Sequence, residues 1–285
     1  MSSTKSSNER VSSLTQVRTV TKYAFLNYFR ARRFYVMLTI VILMSTLLTF
    51  AAAYYRPPFF GFGVATTANP SLPFYSAWWG FVILISLISV AFFGGDAISG
   101  EFQNKTGYFL VPNPIRRSVI YAGKWLAALG AASLILFLFA AIALANGVYF
   151  FGTAVPYQFA ESVLFAWINL ATILTLAFTF SSLFKNSSIS ILMTVILLLF
   201  VFNVIDTIVA SIAGIEPWFS ITYAGGIITN VLHDPYPMAH VTTSGPGFQL
   251  TGFNASIPEG LTIMAVYFVV AAAIGLFLFE RKEFT

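Results

Sequence analysis

Six runs of uncharged, mostly apolar residues follow one another along the chain, and charged residues collect almost entirely between them. The runs cover Phe34–Tyr55, Phe74–Gly95, Val119–Phe151, Ser162–Phe184, Ser187–Ala213 and Gly260–Phe279. Each is near the ~20 residues that a helix needs to cross a bilayer. Amides in lipid have no water to bond, so the runs predict α-helices. Leucine and phenylalanine dominate them, without the alternation of barrel strands. The expectation is an all-α integral membrane protein with six spans, forming one transmembrane domain over residues 14–285 behind a polar, serine-rich tail at 1–13, read as disordered.

Two stretches depart from this pattern. Over 14–33, apolar Leu14, Val17, Tyr23, Phe25, Leu26 and Phe29 interleave with Arg18, Lys22 and Arg30 at helical spacing. A basic amphipathic helix of this kind lies in the headgroup plane and meets membrane lipid. Between the fifth and sixth runs, residues 214–259 are too many for a simple turn. Their first part, Pro217 to Ile228, is apolar but short, which predicts a re-entrant segment broken at Gly225-Gly226 and opened by Pro217. The remainder, His233 to Pro258, is rich in Gly, Pro and Thr and reads as loop.

Composition agrees: 58% of residues are hydrophobic and 9% charged, against about 25% charged in soluble domains. The net charge of +5 raises the question of nucleic acid, and its distribution answers it. Of 15 basic residues, all but Arg56 fall on the side that would hold both termini. The positive-inside rule places that side in the cytoplasm. The charge is therefore a topological signal, and no nucleic-acid partner is expected. The first thirteen residues lack the apolar core of a cleavable signal peptide.

Catalytic constellations are absent from the sequence. There is no HExxH, GxSxG, P-loop or GxGxxG motif, and the lack of cysteine removes thiolate chemistry. His233 and His240 flank Asp234 in the outer loop without a metal-ligand spacing, so no metal and no cofactor are assigned to this chain. Asn254-Ala255-Ser256 has the form of a glycosylation sequon. Within the runs one carboxylate stands out, Asp206, and an intramembrane carboxylate is by default a functional candidate; its place near the outer end of the fifth run equally suits a side chain reaching the interface.

The connection after the second run, residues 96–118, carries the most information. Asp96 and Ser99 are positioned to cap a short helix, with Glu101 in its first turn. Two prolines prevent one continuous helix, and Arg116 and Arg117 anchor the next span. The residues Asp96, Ile98, Ser99, Glu101, Asn104, Thr106, Leu110, Pro114, Arg117 and Lys124 give the order D-x-I-S-x-E, N-x-T, L-x-x-x-P, then arginine and lysine.

This arrangement resembles the type-two permeases of ATP-binding-cassette transporters, departing from it at Lys105 and Gly107. The resemblance extends to the architecture, with an elbow helix before six spans and re-entrant outer helices between the last two. It implies a permease subunit, an exporter in the leading reading, with no enzymatic activity of its own. The loop after the second span would form a coupling helix that docks on a separate ATPase subunit. That subunit would carry the ATP and magnesium, and a second permease copy, identical or paralogous, would complete the complex. By this resemblance Asp96, Ser99, Glu101 and Thr106 are the ATPase-coupling residues. The alternative is a non-transporting adaptor that engages the same ATPase to relay a signal.

Overall fold

The computed structural model describes residues 12–59, 71–104, 116–152, 155–245 and 248–282; at 55–59, 242–245 and 248–250 only the backbone is described. The chain begins with α1 (Ser13–Arg30), breaks at Ala31 and continues as α2 (Arg32–Phe59). Two helices, α3 (Leu72–Trp79) and α4 (Val82–Phe93), make the second span with a break at Gly80. After α5 (Ser99–Gln103) come the third span, α6 (Arg117–Phe151), and the fourth, α7 (Tyr157–Leu183). The fifth is α8 (Ser187–Ile196) and α9 (Phe202–Thr207), with π-helical segments at Leu197–Val201 and Ile208–Ile212. Short α10 (Ile221–Gly225) and α11 (Ile227–Asn230) precede a hairpin of β1 (His240–Gly245) and β2 (Phe248–Phe253), and α12 (Ile257–Arg281) is the sixth span.

Six helices among the described residues are long and apolar enough to cross a membrane. The fold is thus an all-α integral membrane bundle, and an even number of spans puts both termini on one side, here the terminal side. Over half of the most apolar stretch of spans two, three and four is buried, and far less of spans one, five and six. The core is aromatic where α3 meets α6 and α7: Trp79 stacks on Phe139 with centroids 5.6 Å apart and meets Phe159 edge-on at 5.1 Å. Such pairs add to their area burial by favourable ring geometry.

α1 packs along α6 through glycine. A Cβ at Gly123 would stand 2.7 Å from Val20 Cγ1, and one at Gly130 3.2 Å from Phe25. Small residues let backbones approach where no hydrophobic effect drives helices together. Leu14 and Tyr23 remain exposed on its other side.

Two expectations need correcting. The stretch 233–258 is not all loop, because His240 pairs with Phe253 and Gly245 with Phe248 in an antiparallel register. The Pro246-Gly247 dipeptide separates two stretches, one with β-branched Val241, Thr242 and Thr243, and such residues suit a pleated surface. Pro217 does not open the helix that follows it. It lies in a turn, and Ser220 caps α10 by accepting the Thr222 N–H at 3.2 Å. The break at Gly225-Gly226 is where α10 gives way to α11. Those two helices run beside the spans: Ser162 donates to the Ile228 carbonyl, and Tyr267 donates to that of Phe219 at 2.6 Å. Residues 1–11 of the serine-rich tail lie outside the described residues.

Candidate functional site

At the terminal side, α5 is held by side chains from five of the six spans. Its first turn contains Glu101, but neither Asp96 nor Ser99 caps it; the N-cap position is Ile98, which offers no side-chain bond. The cap comes from across the bundle. Ser181 Oγ, on α7, accepts the N–H of Ile98 at 2.8 Å and of Ser99 at 2.9 Å, and lies 3.2 Å from Ser99 Oγ. Ser99 and Ser181 are both fully buried. Local sequence reasoning assigns a cap to the nearest serine, whereas burial orders the nearest available oxygen in space.

Asp96 is nearly buried, and its Oδ2 accepts from the Arg33 guanidinium at the start of the first span and from Ser187 Oγ at 3.1 Å. A buried carboxylate needs a paired charge, and Arg33 supplies it from 63 residues away. Ser190 adds a bond from the fifth span to the Gly95 carbonyl at 2.5 Å. Glu101 pairs with Lys124 of the third span, whose Nζ also donates to the Ala97 carbonyl at 2.9 Å. Gln103 Oε1 accepts the Ser187 N–H at 2.8 Å. Tyr28 of α1 donates to the Phe93 carbonyl at 2.8 Å. Burial first, and then the charge of Asp96, push that phenol above its ordinary pKa.

The sixth span enters through Lys282. Its ammonium donates to the Ser182 and Phe184 carbonyls at 2.9 and 2.7 Å, satisfying groups that α7 leaves open at its C-terminus. It also sits 4.2 Å above the Phe102 ring of α5, within cation–π range. Burial, reinforced by Lys185, lowers its pKa from 10.5 to about 8. Arg117 does the same service for α12, donating to the Glu280 carbonyl at 2.7 Å and that of Lys282 at 2.9 Å.

The structure therefore brings Asp96, Ser99 and Glu101 into one bonded cluster, while Thr106 lies outside the described residues. Sequence reasoning missed Arg33, Ser181, Ser187 and Lys282 as its partners. The available signal was small polar or cationic residues at the terminal-side ends of apolar runs, where lipid offers them no partner.

On the far side, Asp206 is half-buried. Its Oδ2 accepts from Ser220 Oγ at 2.8 Å, which ties the fifth span to the start of α10; Oδ1 has no hydrogen-bond partner. It lines a pocket of about 320 Å³ with Ser211, Tyr223, Asn230 and Asn254. Beside it Tyr223 donates to Glu216. Burial and the Glu216 and Glu259 carboxylates raise the Tyr223 pKa well above its ordinary value. His233 Nδ1 is 3.1 Å from the Thr229 carbonyl and the His240 ring stacks on Phe253. Among the described residues no group of three or more His, Asp or Glu is gathered for a metal. Asn254, of the sequon, donates to the Met238 carbonyl at 2.8 Å.

No curated protein matches the chain significantly. The family model described as ABC-2 family transporter protein matches residues 18–284.

Proposed function

The chain belongs to the ABC-2 family of transporter proteins, and from that premise we propose that it is the permease subunit of an ATP-driven exporter whose ATPase is a separate chain. The terminal side is cytoplasmic, since 14 of its 15 basic residues gather there with only Arg56 opposite. ATP and magnesium bind on the ATPase, and a second permease copy faces the exposed helices of spans one and five.

One observation carries the coupling role. α5 is bonded to the first span through Arg33–Asp96, to the third through Lys124–Glu101, to the fourth through Ser181, to the fifth through Ser187 and to the sixth through Lys282. A push on α5 therefore reaches every one of these helices at once. Asp96 and Ser99 bear that load from inside. The exposed Asn104 begins the face offered to the ATPase, and Thr106 belongs to its continuation.

The test is affinity purification of the tagged chain from native membranes. An ATPase subunit is expected in equal amount, and Glu101→Lys should lower its yield several-fold with insertion unchanged. Recovery of the chain without any ATPase overturns the proposal. Stimulation of the ATPase with no solute movement in vesicles overturns export in favour of an adaptor.

A further inference from the structure

The middle of the bundle contains a cavity of about 310 Å³ that none of the contacts above uses. Gly80, at the break between α3 and α4, forms one wall, and Leu198 and Asn203 form another. Asn169 of α7, with Thr222 and Gly225 of α10, completes it. Asn169 lies twelve residues past Tyr157, about 18 Å along the helix at 1.5 Å per residue. The cavity is therefore deep within the spans. Leu198 belongs to the first π-helical segment, and π segments inside helices are frequent at functional sites.

The chemistry of the walls selects the occupant. Asn169 is 4% exposed, and its Oδ1 has no hydrogen-bond partner. A buried carbonyl oxygen left this way carries an uncompensated desolvation cost, which a donor brought by an occupant would relieve. Asn203, across the cavity, already spends its amide N–H on the Leu199 carbonyl at 2.9 Å. None of the described residues lining the cavity is ionisable, and most are aliphatic. Asp206 lines the separate outer pocket. A cation or anion would find no counter-charge here, and a cluster of water would find few of the two to four polar partners that each molecule needs. An apolar body with one donor group satisfies both parts of the wall.

We propose that this cavity binds an uncharged, predominantly apolar molecule bearing a hydroxyl or N–H donor, which hydrogen-bonds to Asn169 Oδ1. That the occupant is cargo rests on the permease reading; that the site binds it does not.

The experiment uses the full chain in phosphatidylcholine nanodiscs, without an ATPase. It is photolabelled with a diazirine-bearing octan-1-ol and, separately, with a diazirine-bearing octane lacking the hydroxyl, and adducts are mapped by mass spectrometry. The alcohol is expected to label the second and fifth spans around Gly80 and Leu198 about five-fold more than the alkane, the preference that one hydrogen bond of ~1 kcal/mol confers. Asn169→Leu should abolish the preference without lowering the melting temperature, because it removes an unpartnered polar group. Gly225→Ala places a methyl 3.9 Å from both amide atoms of Asn169, an ordinary contact, and should reduce alcohol labelling without disturbing the fold. Equal labelling by the two probes, or no adduct at the cavity, overturns the proposal. So does a destabilised Asn169→Leu protein together with undiminished labelling of Gly225→Ala. With no ATPase present, none of these outcomes depends on whether the ATPase docks.

Discussion

Removing the Ser181 hydroxyl isolates what holds α5 in place. Ser181→Ala deletes one oxygen and thereby orphans two buried amides, those of Ile98 and Ser99, at 2.8 and 2.9 Å. Each unsatisfied buried donor costs about 1–3 kcal/mol. Water reaching the terminal side recovers part of this, so about 2 kcal/mol is expected for the pair. That corresponds to about a thirty-fold larger opening equilibrium. The assay is hydrogen–deuterium exchange of peptides spanning 96–104, with the chain in nanodiscs under conditions where opening limits exchange through its equilibrium. Ser99→Ala removes only the longer 3.2 Å hydroxyl contact, so its effect should be several-fold smaller. Exchange in Ser181→Ala equal to wild type, or Ser99→Ala exceeding it, would refute the cap supplied from the fourth span.

Three further outcomes follow from the same contacts. In a double-mutant cycle of Lys124→Met and Glu101→Gln, thermal unfolding should reveal a coupling of ~1 kcal/mol, since the pair is half-buried; additive effects would mean that the pair contributes nothing. Gly123→Ala should destabilise by about 1–3 kcal/mol through overpacking against Val20, and adding Val20→Ala should restore the melting temperature; no rescue would place the strain elsewhere. Lys282 keeps its proton in the unfolded chain up to about 10.5 but in the folded chain only to about 8, so its contribution to stability rises with pH across that window. A carbon-13 dimethyl label on Lys282 should titrate near 8, and Lys185→Gln should raise the midpoint; an unshifted midpoint in that variant would refute the repulsion.

The spans were legible because lipid allows an uncharged run of this length a single solution. Observed helices such as Arg117–Phe151 and Ser187–Ile212 start and stop within about two residues of the apolar runs; α7 starts earlier, at Tyr157, since polar Gln158 and Glu161 interrupt the run but not the helix. The break at Gly225-Gly226 was readable for a local reason, as glycine disfavours helix interiors. The contacts around α5 were not readable. Asp96 was expected to cap its own helix, yet its partners come from α2 and α8, and nothing in local spacing encodes a pairing across 63 residues. The hairpin escaped because its Gly and Pro content outweighed Val241 and the threonines beside it. Asp206 was correctly singled out as unusual, but its hydroxyl partner, Ser220, is visible only once the chain folds back.

Span five has a consequence of phase. Its two π-helical segments, Leu197–Val201 and Ile208–Ile212, bracket α9. A π turn accommodates one residue more than an α turn, so each segment stores a surplus residue within an unbroken hydrogen-bond ladder. Passing that surplus along the helix by one position turns the intervening residues about 100° around the axis. Asn203 and Asp206 lie on that interval, between cavity and outer pocket. The fifth span is thus built as a shaft with two slip joints, whose middle section can be re-aimed while both ends keep their contacts.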